Sequence, residues 1–87
     1  MLIGKVTGTV TATVKPDSLT GRKLLIVDVV DATGDIQTPG TVAVDTAGAG
    51  VGDMVLLTRG SAARMVPDLS MAPVDLAIIA VVDRISL

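Results

Sequence analysis

The stretch LIGKVTGTVTATV, residues 2–14, decides the fold. At period two, Leu2, Val6, Val10, Ala12 and Val14 share one face; Lys5, Thr7, Thr9, Thr11 and Thr13 share the other, with Ile3 the exception. Such alternation marks a strand with one face buried and one in water. Gly4 and Gly8 fall on the apolar face, where a missing side chain lets a long strand bend sharply. A long, bent, half-buried strand at the start of a short chain is what a closed barrel requires.

The segments that follow extend this pattern. KPDSLTGR, residues 15–22, is a polar loop. KLLIVDVV, residues 23–30, is apolar on both faces, which predicts a strand covered by the barrel interior and by a neighbouring subunit. DATGD, residues 31–35, is a turn punctuated by Asp31 and Gly34. A short strand, TVAVD at 41–45, follows Pro39-Gly40, and the glycine-spaced loop GAGVGD at 48–53 leads into the strand MVLLTR at 54–59. In GSAAR, residues 60–64, Ser61 can cap a helix carrying Ala62 and Ala63, which Pro67 limits to about one turn. The β-rich segment VDLAIIAVVDRISL, residues 74–87, closes the chain. Five strands with one minor helix predict an all-β chain, a small barrel forming a single domain over residues 1–87.

Composition narrows the functions open to such a barrel. Its 87 residues lie near the lower limit for folding without disulfides or metals. The absence of cysteine and histidine excludes thiolate and imidazole metal sites and the commonest general base. There is also no Phe, Trp, Tyr, Glu or Asn, so the core must be assembled from small aliphatic side chains. Chains of this kind commonly gain stability by burying further surface between subunits, and an oligomer is expected. The net charge of −2, with scattered basic residues and no aromatic platforms, sets nucleic acid aside. The opening MLIGKVTG lacks the features of a signal peptide, and the longest apolar run, residues 76–82, is far short of the ~20 residues of a membrane helix. A soluble, intracellular protein without a membrane partner is expected.

Several stretches resemble reactive sites. Gly48 and Gly50 begin a dinucleotide-type fingerprint, but Asp53 stands at its third glycine and a strand follows. A phosphate loop would need a Gly-Lys-Ser/Thr ending, which is missing. What remains is a tight β–β connection, with a small-anion binder as the rival. VDTAGAG, residues 44–50, approaches the Asp-Thr/Ser-Gly signature of homodimeric aspartic proteases, but Ala47 interrupts it. Asp45 then reads as a strand-end residue whose carboxylate binds nearby amides. Asp28, Asp31 and Asp35 lack a calcium-loop pattern and read as turn or surface groups. Ser18, Ser61, Ser70 and Ser86 have no histidine to activate them, leaving only Ser-Lys pairing formally open. Arg64 ends the short helix, where a cation complements exposed carbonyls or anchors a partner's carboxylate.

GAGVGDMVLLTRGSAAR followed by APVDLAIIAVVDRI resembles the EutN/CcmL family of bacterial microcompartment shell proteins, as do MLIGKVTGTVTATVK and SLTGRKLLIVDVVD at the start. The resemblance covers nearly the whole chain. It implies an OB-like five-stranded barrel with a short helix, assembling as a cyclic pentamer that caps a vertex of a polyhedral shell tiled by hexameric proteins. It further implies a cytoplasmic, structural, non-enzymatic role without cofactor or metal. The family's glycine loop falls on Gly48, Ala49, Gly50, Val51 and Gly52, followed by Asp53, and is expected to permit close subunit packing. Its second motif falls on Gly60, Ser61, Ala62, Ala63 and Arg64, expected to contact neighbouring shell tiles. Asp53 and Met54 depart from the family's usual Glu and Trp, and Pro16 stands one residue earlier than the usual proline. Two other classes are left open: a small-ligand-binding OB-like module using the glycine loop, and a degenerate homodimeric aspartic protease.

Overall fold

The computed structural model describes residues 1–11, 21–60, 63 and 75–87. Five strands form a closed barrel: β1 (Leu2–Val10), β2 (Lys23–Val30), β3 (Ile36–Asp45), β4 (Met54–Arg59) and β5 (Leu76–Val82). Around the barrel they run β1-β2-β3-β5-β4, with every pairing antiparallel except β3 with β5. The all-β barrel expected from the sequence is thus the fold observed. Of the short helix expected after Gly60, only Ala63 lies among the described residues, and it is helical.

Among the described residues the core cluster is aliphatic, with Thr58 the buried polar residue. Val6, Leu25, Val27, Val55, Leu57 and Ile78 are its largest fully buried side chains, and they come from β1, β2, β4 and β5. Burying each such side chain stabilises the fold by about 1.5–3 kcal/mol. With no aromatic ring to fill space, backbones must approach closely. Gly4 serves this on β1: a Cβ there would stand 2.7 Å from Leu57 Cδ1, so Leu57 occupies the room a side chain would take.

Two irregularities separate the structure from the sequence reading. On β1 the register against β2 shifts between Val6 and Gly8. Val6 pairs with the buried Val27, whereas Gly8 pairs with Ile26 and Val10 with Leu24, on the outward side of β2. The strand therefore does not keep one apolar face through Val10. An extra residue at Thr7 passes the later positions to the opposite face, as a one-residue slip must. Ala12 to Val14 lie outside the described residues.

The second irregularity is Pro39-Gly40, which reads as a break but lies inside β3. Val27 pairs with Thr41 and Val29 with Thr38, so Pro39 and Gly40 together face Asp28. This is a bulge, where proline's missing N–H is tolerated. Gly40 takes a φ of +61°, and its N–H donates to Asp28 Oδ1 at 2.8 Å. The side chain replaces the ladder bond that the bulge removes, so β3 runs ten residues instead of the five expected.

The β2–β3 turn is the one expected at residues 31–35. Gly34 N donates to Asp31 O at 3.0 Å, and Asp31 N donates to Asp35 O at 2.9 Å. Asp31 Oδ1 accepts from the Thr33 hydroxyl, from Thr33 N at 2.9 Å and from Asp35 N at 3.1 Å. The Thr33 hydroxyl foremost, with the amides of Asp35, Thr33 and Gly34, holds the Asp31 carboxyl below its ordinary value of 3.8, against a weaker upward push from desolvation. Because the folded value is depressed, this turn's contribution is full above pH 3.8 and is lost as pH falls through the lower folded value. Carboxyl-carbon NMR should place the Asp31 midpoint below 3.8, and Thr33→Val should raise it. A midpoint at the ordinary value, unmoved by Thr33→Val, would contradict the hydrogen-bond origin.

Candidate functional site

The glycine loop is a rigid cap on one end of the barrel. It starts where β3 ends, and Asp45 organises it. Asp45 Oδ1 accepts from Ala47 N at 3.0 Å and Oδ2 from Ala49 N at 2.9 Å. Lys23 Nζ lies 3.5 Å from the same Oδ2 and donates to Ala49 O. The Asp45 side chain is only 3% exposed, against 52% for Lys23. Asp45 is therefore the strand-end, amide-binding residue read from the sequence. Its oxygens are enclosed by its own loop, which leaves no exposed carboxylate to share a proton with a second copy, as a dimeric aspartic protease would require.

The far side of the loop is pinned as well. Asp53 Oδ2 accepts from Gly50 N at 2.8 Å, and Asp53 N donates to Gly50 O at 3.0 Å. Val6 N donates to Asp53 O and Gly52 N to Val6 O, both at 2.9 Å, tying the loop to β1. Gly48 and Gly52 hold φ values of +78° and +96°, the left-handed region that glycine enters without strain. The amides of Ala47, Ala49 and Gly50 thus already face carboxylates of this chain, an arrangement that repels a bound anion. Ala49 is fully buried in the core cluster, and its small size serves packing within the protomer. Val51, at the loop's tip, is 63% exposed.

The second motif starts at the end of β4. Arg59 is exposed there. Gly60, at φ +63°, donates to Asp75 O at 2.9 Å, and Ala63 N donates to Gly60 O at 3.1 Å. Ala63 has no exposed surface, so it offers nothing directly to a neighbour. Ser61, Ala62 and Arg64 lie outside the described residues.

Outside the barrel, β2 is apolar as well as within it. Leu25, Val27 and Val29 face the core, while Leu24 and Ile26 lie outward and remain partly exposed. Val42, paired with Ile26 on β3, is 49% exposed. An outward aliphatic face of this kind is what association covers. Sequence reasoning placed β2 on such a face but missed Gly8 and Val10, because the bulge at Thr7 that aligns them leaves no mark in the periodicity, and missed Val42, which is placed by its pairing with Ile26.

Comparison with known proteins fits a structural part more than a reactive one. The family profile described as "Ethanolamine utilisation protein EutN/carboxysome" matches residues 1–83. The carboxysome shell vertex protein CcmL of Synechococcus elongatus is 46% identical over 86 residues, covering 99% of this chain and 87% of that protein. The bacterial microcompartment shell vertex protein PduN of Salmonella typhimurium is 46% identical over 90 residues, covering 99% of each. Among solved structures, the GrpN pentameric microcompartment shell protein from Rhodospirillum rubrum superposes with a TM-score of 0.88 at 39% identity, covering 100% of this chain and 99% of that one. An aliphatic barrel whose Asp31, Asp45 and Asp53 carboxylates hold its own loops, matched along nearly its whole length by shell vertex proteins, belongs to the EutN/CcmL family and has a structural, not an enzymatic, role.

Proposed function

We propose that this chain closes the vertices of a polyhedral bacterial microcompartment shell, inside the cytoplasm, as a ring of five identical copies set among hexameric shell tiles. The observation that carries the reading is the near-complete coverage in both directions by a shell vertex relative and by a pentameric shell protein structure. The barrel's own chemistry supports it. Rigidly pinned loops and outward aliphatic surface suit a part that works by fitting against others. The glycine loop, Gly48 to Asp53, holds the barrel end in a fixed shape for subunit packing, with Val51 as its exposed contact. The Gly60–Arg64 motif, joined to the exposed end of β4, is the contact with neighbouring tiles, with the buried Ala63 supporting it from within the protomer.

Reconstitution of shells from hexameric tile proteins tests this reading. With the chain present, closed polyhedra should form; without it, shells should remain open at their vertices when imaged. Closed polyhedra of equal yield without the chain would contradict the vertex role. Arg64→Ala should leave the ring intact in solution and reduce its incorporation into shells several-fold. Unreduced incorporation of that variant would remove Arg64 from the tile contact.

A further inference from the structure

We infer that the paired register shifts of β3 are an edge guard, which keeps an open, uncharged strand from pairing with strands of other molecules. At ten residues β3 is the longest described strand, yet only two of its residues are paired on both sides. Among the described residues its β5 side is paired only at Val44 and Asp45, whereas β2 accompanies it from Ile36 to Asp45. Every residue from Ile36 to Gly40 is exposed. Along this stretch β3 is a sheet edge, and an edge offers unpaired N–H and C=O groups to any extended chain.

Proteins blunt such edges with charged side chains, with proline or with bulges. The first device is missing here, since no charged residue stands between Ile36 and Val44. Ile36, Thr38, Thr41, Val42 and Val44 are strand formers, and Ile36 and Val42 are exposed. Uninterrupted, an uncharged run of this composition is the kind that stacks strand on strand.

What interrupts it is the backbone. Pro39 and Gly40 together face Asp28, and a second shift leaves Gln37 without a partner between the pairs Val29–Thr38 and Val30–Ile36. Two displacements in so short a run bend the edge and spoil the even spacing that a docking strand needs. Pro39 also removes one donor. Gly40 turns at a φ of +61°, and the kink is held from across the ladder by Asp28 Oδ1, which accepts from Gly40 N at 2.8 Å. Asp28 is therefore a positioning residue: it stands on β2, away from the edge, and fixes the edge's shape. The inference is independent of the vertex reading, because it concerns the chain's solubility at whatever copy number it adopts.

The test straightens the edge. Deleting Gly40 and introducing Pro39→Val leaves one residue facing Asp28 and keeps the flanking pairs Val27–Thr41 and Val29–Thr38. Sedimentation over a concentration series reads the mass, and circular dichroism reads the strands. The wild type should hold one mass throughout. The straightened chain should keep its strand signal and pass, as concentration rises, into larger species that bind a cross-β dye. Adding Thr38→Lys, a charge at an exposed edge position, should return it to the wild-type mass. A straightened chain that keeps both strand signal and wild-type mass would overturn the guard. Aggregation that Thr38→Lys leaves unchanged would overturn it too, because unfolding would then be the cause. If the deletion abolishes the strand signal, Asp28→Ala takes its place, since it frees the Gly40 amide at unchanged chain length. That variant should also grow with concentration and be rescued by Thr38→Lys; a constant wild-type mass would equally overturn the guard.

Discussion

Asp45→Ala should destabilise the protein by about 2–4 kcal/mol, the cost of removing a charged acceptor from two amides. The carboxylate is almost wholly enclosed and serves Ala47 N, Ala49 N and Lys23 together. Its loss would leave the part-buried Ala49 amide without an acceptor and free the loop from β3. Asp45→Asn, which keeps one acceptor oxygen, should fall between. Lys23→Met should cost under about 1 kcal/mol, since its ammonium is half in water and screened. Urea denaturation at one fixed protomer concentration gives the three values, and amide exchange at Ala47 and Ala49 should quicken in Asp45→Ala. A loss no larger than that of Lys23→Met would mean that the carboxylate does not hold the loop.

Gly4→Val is expected to cost about 1–3 kcal/mol through overpacking, and Gly4→Ala less. The new Cβ would stand 2.7 Å from Leu57 Cδ1 and 3.4 Å from Asp28 O. Leu57 is fully buried and has little room to retreat, though its terminal methyl can rotate away from a single added carbon. Adding Leu57→Ala to Gly4→Val should therefore cost less than the sum of the two changes, a coupling measurable in a double-mutant cycle. By contrast, Gly8→Ala meets only Ile26, on the outside, at 3.4 Å, and should leave the isolated barrel nearly as stable. Strictly additive energies for Gly4 and Leu57 would show that the two do not share one space.

These two sites mark how far the sequence could be read. Asp45 was legible because a carboxylate ending a strand ahead of small residues has few local partners other than amides. Gly4 was legible only as a place where the strand can bend; the close approach it allows is to Leu57, from a strand more than fifty residues later, and leaves no local sign. The barrel itself follows from aliphatic strands at short spacing. The start of β3 did not, because Pro39-Gly40 punctuates a sequence in the same way whether it ends a strand or makes a bulge; only Asp28, reaching across to Gly40 N, distinguishes them. The outward faces were half legible. The doubly apolar β2 pointed to one of them, but the slip at Thr7 moves Gly8 and Val10 without altering composition. The resemblance supplied the family and the number of copies, which no periodicity encodes.

The most direct check of the idea that this barrel functions by fitting against its own copies is its mass in solution. Native mass spectrometry or sedimentation at micromolar concentration should find five times the 8.8 kDa of one chain. A folded 8.8 kDa monomer persisting at high concentration, and still unassembled when hexameric shell tiles are added, would contradict it.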